Sequence, residues 1–135
     1  MDALEFERKF RLFYKQADYK TRREIDLKIQ RILSKKESEK RLYDAFFTAI
    51  KKGNKIVVET ILNSDDRIDI NKQDNGLGNT ALIYSIINAD MELVKLLLDL
   101  GANPLIKNNN GKNSLDAANH IKDTELVQLI SKYIK

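Results

Sequence analysis

Apolar residues recur at helical spacing in the stretch TALIYSIINADMELVKLLLDLGANP, which spans residues 80–104. They fall into two runs with steps of three and four residues, and such steps place side chains on one face of an α-helix. A polar break separates the runs, and Asp90 at its end can accept the free amide protons that begin the second helix. Gly101 supplies the left-handed conformation that ends this helix, and Pro104 prevents its resumption. The pattern predicts two short amphipathic helices in succession.

The same stretch resembles an ankyrin repeat, in which a turn is followed by G-x-T-P-L-H-x-A-A, a small break, V-V-x-L-L-L and G-A-D. The positions that match this pattern in register are Gly78, Thr80, Leu82, Leu93, Val94, Leu96, Leu97, Leu98, Gly101 and Ala102. Ala81 stands in place of the proline, Ile83 in place of the histidine and Ala89 in place of the glycine between the helices. Because the proline and histidine usually brace the turn, we expect this repeat to be less rigid than a consensus repeat.

The pattern returns on both sides at about 33 residues, the period of ankyrin repeats. Leu115 lies 33 residues after Leu82, and Phe46 lies 36 residues before it. The extra residues fall in the polar segments 63–69 and 71–78, where loops tolerate insertion. The resemblance therefore implies an all-α solenoid of stacked helix pairs joined by hairpin-like turns. We place a repeat domain at residues 39–135, with repeats at about 42–74, 75–107 and 108–135.

The N-terminal segment, residues 1–38, shows no ankyrin pattern. Apolar residues on one stripe predict a first helix over residues 2–17. A second helix is predicted to begin at Thr21, where the sequence TRRE has the form of a capping box. Ser38 is then expected to cap the helix that opens the first repeat. We interpret residues 1–36 as a helical hairpin that caps the front of the solenoid.

Positive charge is concentrated in the first third of the chain. Residues 1–41 carry 13 Lys and Arg against 8 Asp and Glu, a net charge of +5. Residues 42–135 carry 11 against 12, a net charge of −1. A basic helix can contact phosphates or an anionic membrane, but acidic residues are interleaved here, and Glu24 and Lys28 are spaced as a stabilising i,i+4 pair. We therefore favour a solvated capping face over an acidic protein partner, and both over nucleic acid or membrane.

Few side chains are available for catalysis or metal binding. The chain has no cysteine, and His120 is its single histidine, so we expect neither a transition-metal site nor a cofactor. The segment DDRID at residues 65–69 clusters three carboxylates but lacks the glycine and the terminal glutamate of an EF-hand loop. We interpret it as an exposed loop. The sequence predicts a protein that is not an enzyme.

The sequence shows no targeting or membrane segment. No apolar run approaches the roughly 18 residues that cross a bilayer. The N-terminus is charged from Asp2 onward, unlike a secretory signal. The lack of cysteine fits a reducing compartment. We expect a cytoplasmic protein, or one delivered into a host cytoplasm.

The resemblance also implies a binding surface. Stacked repeats present a concave face built from the turn tips and the first helix of each repeat. The positions of this sequence that fall on that face are Asn75, Leu77, Asn79, Tyr84, Ile87, Asn88, Asn110, Lys112, Asp116, His120 and Ile121. Exposed apolar groups among them would form a hot-spot core within a rim of asparagines, although Tyr84 is as well explained by burial between repeats.

Three functions are compatible with these features. The favoured one is a stand-alone adaptor or inhibitor whose groove binds one protein partner. The second is a recruitment fragment of a larger protein whose activity lies elsewhere. The third is a basic-helix module that contacts nucleic acid or anionic membrane. We expect a monomer, and the sequence leaves open whether three repeats dimerise through one end.

Overall fold

The structure is a computed structural model that describes residues 2–64 and 68–134. Within these ranges the chain forms seven α-helices and no β-strand. In chain order the helices are α1 (Ala3–Gln16), α2 (Tyr19–Lys52), α3 (Lys55–Leu62), α4 (Ala81–Ile87), α5 (Met91–Asp99), α6 (Ser114–His120) and α7 (Thr124–Tyr133). The predicted all-α class is confirmed. The first three residues of the DDRID segment lie outside the described ranges.

The chain divides into an N-terminal unit, residues 1–40, and a repeat unit, residues 41–135. In the N-terminal unit the hydroxyl of Tyr14 on α1 lies 2.9 Å from both carboxylate oxygens of Asp26 on α2. The Arg22 Nε donates a hydrogen bond of 2.9 Å to the Tyr14 carbonyl oxygen. These bonds join α1 to the beginning of α2, as a helical hairpin requires. That this hairpin caps the repeats stays a prediction.

Helix α2 begins earlier and ends later than the sequence patterns predicted. Its first turn is capped by Asp18, whose carboxylate accepts a 2.7 Å hydrogen bond from the Thr21 amide and whose pKa is lowered by that bond. The helix then passes through Ser38, which donates its hydroxyl to the Ser34 carbonyl one turn back. The predicted caps at Thr21 and Ser38 are therefore wrong. No glycine or proline lies between Tyr19 and Lys52 to interrupt the helix.

The repeat unit consists of three helix pairs: the end of α2 with α3, α4 with α5, and α6 with α7. Neighbouring pairs pack on each other, α4 against α6 and α5 against α7. One continuous core runs through all three pairs. Its largest fully buried aliphatic and aromatic side chains are Phe46, Ile50, Leu82, Ile86, Leu93, Leu97, Leu126 and Ile130. The apolar faces read from the sequence are the faces that stack.

Helix α5 begins and ends as the sequence predicted. The Asp90 carboxylate accepts a hydrogen bond of 3.2 Å from the Leu93 amide at the start of α5. Gly101 has a positive φ of 96° beyond the end of α5, which is the left-handed conformation expected there. The turn between the paired helices also contains a left-handed residue in each repeat: Gly53 with a φ of 69°, Ala89 with 53° and Lys122 with 58°.

Candidate functional site

A groove opens between the second and third repeats. Its volume is about 720 Å³, and it lies along the packed helices α4 and α6 and the turn that precedes α6. The residues that line it are Ile83, Ile87, Asn108, Asn110, Lys112, Asp116, Ala117, Asn119, His120 and Ile121. The structure thus brings together six of the predicted partner-binding residues: Ile87, Asn110, Lys112, Asp116, His120 and Ile121.

The floor of the groove is apolar. Ile87 is the last residue of α4 and leaves 51% of its surface exposed. Ile121 caps the C-terminus of α6 and is half-buried, and Ala117 lies one turn before it. Covering a half-exposed isoleucine lowers the free energy, because apolar surface leaves water. The floor therefore offers apolar surface that is still available for burial.

The rim of the groove is polar and carries both signs of charge. Asn110, Lys112, Asp116 and His120 are all exposed there. Asp116 is held in place by a capping box, in which its carboxylate accepts a 2.9 Å hydrogen bond from the Asn113 amide. Its own amide donates one of 3.0 Å to the Asn113 side chain. An apolar floor with a polar rim is the usual composition of a protein-binding surface.

Hydrogen bonds between neighbouring turns fix the edge of the groove. We call this set of contacts the tip brace; its members are Asn71, Gln73, Gly76, Leu77, Asn79, Asn103, Lys107, Asn108 and Asn109. The Gln73 side chain donates a hydrogen bond of 2.7 Å to the Lys107 carbonyl, and the Asn109 side chain donates one of 3.0 Å to the Gly76 carbonyl. The backbone amide of Asn103 donates a hydrogen bond of 2.7 Å to the Asn71 side chain. The tip brace connects the turn before α4 to the turn before α6.

Asn79 belongs to the tip brace and is unavailable to a partner. Only 2% of its surface is exposed, and its side-chain oxygen accepts a 2.9 Å hydrogen bond from Asn108. Its amide donates to the Asp74 carboxylate at 3.1 Å. Because this side chain is committed inside the turn, we leave Asn79 out of the binding surface that the sequence assigned it to.

Asn75 and Leu77 lie at the tip of the preceding turn, outside the lining of the groove. Both are exposed, and Leu77 presents 58% of its surface. The backbone carbonyl of Leu77 accepts a 3.0 Å hydrogen bond from the Asn109 amide, so the backbone that carries its side chain is bonded to the next turn. Leu77 is therefore an apolar group beside the groove and not on its floor.

Tyr84 and Asn88 lie toward the first repeat. The Tyr84 ring meets Phe47 edge to face with centroids 6.1 Å apart, and the Lys51 ammonium lies 4.8 Å above the ring. Its hydroxyl donates to the Asp74 carboxylate, and burial together with this bond raises the pKa of Tyr84. The Asn88 side chain donates a hydrogen bond of 3.3 Å to the Lys51 carbonyl. Tyr84 packs between repeats and leaves only part of its surface open.

Four residues line the groove that the sequence analysis did not assign to it: Ile83, Asn108, Ala117 and Asn119. Ile83 is almost fully buried, so it contributes very little surface to the groove. Asn119 precedes His120 and is exposed beside it, which helical spacing alone does not predict. Asn108 accepts hydrogen bonds from Asn110 and Lys112 at 2.9 and 3.0 Å and thereby shapes the rim.

None of the helices within residues 2–64 and 68–134 combines the length and the apolar composition that a transmembrane span requires. Within the same ranges, no three side chains of the histidine, cysteine, aspartate and glutamate types are grouped so that they could hold a metal ion.

Comparison with known proteins identifies the repeats. The family model described as ankyrin repeats (3 copies) matches residues 46–135. Over 62 residues, or 46% of this chain, the sequence is 42% identical to an ankyrin repeat protein of Rickettsia bellii. It is 31% identical over 93 residues, or 69% of the chain, to an ankyrin repeat-containing protein of Treponema pallidum. A zebrafish protein, Notch-regulated ankyrin repeat-containing protein A of Danio rerio, is 36% identical over 74 residues, or 54% of the chain.

These relatives are longer than the part that this chain matches. The alignments cover 9% of the Rickettsia protein, 30% of the Treponema protein and 66% of the zebrafish protein. Ankyrin repeats generally act as protein–protein interaction modules, and their family is generally non-enzymatic. The matched model spans most of the chain and coincides with the three helix pairs of the structure. The chain belongs to the ankyrin repeat family.

Proposed function

We propose that the protein binds a segment of one partner protein in the groove between its second and third repeats, as a cytoplasmic adaptor or inhibitor without enzymatic activity. One observation carries the proposal. Ile87 and Ile121 form an apolar floor in a cavity of about 720 Å³ whose exposed rim contains Lys112, Asp116 and His120. The partner segment would place an apolar side chain on the floor and polar groups against the rim.

The energetics of protein interfaces support the floor as the binding centre. Most of the free energy of association comes from a few well-packed residues near the middle of an interface, and a polar rim excludes water around them. Ile87 is central in this sense, because it lies on the floor and retains half of its surface for a partner. Leu77, exposed at the adjoining tip, extends the apolar surface on one side.

The test compares two substitutions of equal exposure. Ile87 and Leu105 each present 51% of their surface, but only Ile87 lines the groove. We expect Ile87→Asp to reduce partner binding by about thirtyfold or more, since a charge replaces an apolar hot spot. Leu105→Asp should leave binding unchanged. Wild-type and variant proteins are immobilised and exposed to lysate of the native cell. Quantitative mass spectrometry of the retained proteins then measures the difference in binding.

Folding must be checked for each variant. Circular dichroism and a urea unfolding curve should show that Ile87→Asp retains the wild-type helix content. Leu77→Asp, at the edge of the groove, serves as a second variant, and we expect it to reduce partner binding by less than Ile87→Asp does. If proteins that wild type retains are retained equally by a folded Ile87→Asp variant, the groove is not the binding site.

A recruitment role within a longer protein is a second candidate function. It is supported by the length of the relatives, since the matched part makes up only 9% of the Rickettsia protein and 30% of the Treponema protein. In that case the same groove would bring the rest of the protein to its target. The reading frame around this sequence decides between the two forms of the proposal.

A further inference from the structure

We propose that two copies of the chain pair through the outer side of the first repeat. We call this surface the front face; it comprises Asp44, Ala45, Thr48, Ala49, Lys52 and Val57. It shares no residue with the groove between the second and third repeats, so the pairing is independent of the proposed function. The sequence alone favoured a monomer and placed the N-terminal hairpin over the front of the solenoid; the proposal puts a second copy in that place.

The front face is a stacking surface without a neighbouring repeat on it. Equivalent positions of the first and second repeats lie 36 residues apart. Ala45 is exposed, whereas its equivalent Ala81 is fully buried. Val57 is 37% exposed, whereas Leu93 is fully buried. These two positions, which are buried in the middle of the solenoid, are thus open to solvent at its front, whereas Ala49 beside them is buried.

The shape of the front face suits another helix. Ala45, Thr48 and Ala49 lie on one side of α2, and the shallow cavity along them has a volume of about 390 Å³. Small side chains allow the axes of two packed helices to approach to the lower end of the usual range, about 8 Å. Val57 on α3 adds an apolar contact beside this stripe.

The charges of the front face are complementary to themselves. Asp44 and Lys52 are exposed at the two ends of the stripe, about 12 Å apart along a helix with a rise of roughly 1.5 Å per residue. At this distance they cannot pair with each other. Neither takes part in a salt bridge within residues 2–64 and 68–134.

A second copy satisfies both charges at once. If two α2 helices cross in antiparallel fashion with Thr48 at the two-fold axis, Asp44 of each copy lies opposite Lys52 of the other. Isologous interfaces contain every contact twice, so one crossing forms two ion pairs. An unrelated partner would have to present a basic and an acidic group at the same separation and in the reverse order. This match selects a second copy as the occupant.

The test uses charge reversal and its rescue. Sedimentation velocity of the full chain, over a concentration range of about 1 µM to 1 mM, measures the dimer dissociation constant. We expect Asp44→Lys and Lys52→Asp each to raise it about tenfold or more, because each places like charges opposite one another at two points. The double variant carrying both changes should restore the wild-type value. An equimolar mixture of the two single variants should form heterodimers.

Two further variants complete the design. Lys95→Asp changes the charge by the same amount at an exposed position of α5, away from the front face, and should leave dimerisation unchanged. Thr48→Arg places a bulky side chain at the crossing and should abolish the dimer, also in the charge-swapped background. Thr48 is exposed, so circular dichroism should show an intact fold.

The proposal is overturned by a wild-type chain that stays monomeric throughout the concentration range. It is equally overturned by a dimer that tolerates Thr48→Arg, which would mean that another surface, such as the N-terminal unit, holds it together. Failure of the double variant to recover dimerisation would exclude the antiparallel crossing. None of these outcomes bears on Ile87, so the groove is tested separately.

Discussion

The turn between paired helices requires a left-handed residue, and the three repeats meet this requirement with different amino acids. Gly53 supplies it in the first repeat, where φ is 69°. Ala89 and Lys122 adopt φ values of 53° and 58° at the corresponding turns. A side chain with a Cβ pays roughly 1–2 kcal/mol for this conformation. Ala89, which departs from the family glycine, is therefore a strained position in the middle of the solenoid.

We expect Ala89→Gly to raise the free energy of unfolding by about 0.5 kcal/mol, because relief of strain exceeds the larger entropy that glycine gains on unfolding. Lys122→Gly should act in the same direction. Gly53→Ala should lower stability by about 1 kcal/mol, since its new Cβ would also lie 3.0 Å from the Asp90 carboxylate. Urea unfolding followed by circular dichroism measures all three. A loss of stability in both Ala89→Gly and Lys122→Gly would contradict the proposal that these two residues are strained.

At the scale of elements, the most informative case is α2. The sequence indicated a helix on each side of Ser38, and a serine followed by an acidic residue, here Glu39, is typical of a helix start. No residue near it prevents continuation, so the backbone keeps its hydrogen bonds through the serine. A capping signal is thus ambiguous without a glycine or proline before it. At residue 101, where glycine is present and proline follows, the predicted helix end is confirmed.

Substitutions at Ser38 and Asp18 distinguish a continuous helix from two separate ones. Ser38→Ala should leave stability unchanged or raise it by about 0.3–0.5 kcal/mol, because alanine has the higher helix propensity. If Ser38 were a cap, the same change would cost about 1 kcal/mol. Asp18→Ala should lower helix content near the start of α2, since Thr21 loses its acceptor. Circular dichroism at 222 nm and thermal unfolding report both effects.

The groove shows the same limit of sequence reasoning at single side chains. Repeat register placed Ile87, Asp116 and His120 on the concave side, and all three line the cavity. The same register placed Asn79 there, but its side chain is buried in the tip brace. Register determines which side of a helix a residue occupies. It does not determine whether a polar side chain at a turn bonds inward to its neighbour.

At the scale of the whole molecule, stability depends on where a repeat lies in the stack. Leu82 and Leu115 occupy the same position in successive repeats, 33 residues apart. Leu82 is 1% exposed because repeats cover it on both sides, whereas Leu115 in the last repeat is half-buried. Polar residues follow the same gradient. Asn119 is exposed where the middle repeat has the fully buried Ile86.

Removing the same side chain in the two repeats should therefore have different costs. We expect Leu82→Ala to lower the free energy of unfolding by about 3 kcal/mol and Leu115→Ala by about 1 kcal/mol, because the cavity and transfer contributions scale with burial. Urea unfolding monitored by circular dichroism gives both values. Equal losses would mean that the last repeat is covered by something that its half-burial does not show.

The tip brace has a consequence for how a partner is met. Side-chain amides tie one turn to the next through Asn71, Gln73 and Asn109, so the rim of the groove is ordered before any encounter. A pre-organised surface loses little conformational entropy on association. The partner segment, rather than the protein, would then carry most of the ordering cost, and recognition would favour segments that are already rigid. Calorimetry with stiffened and flexible versions of one ligand would show this as a difference in binding entropy.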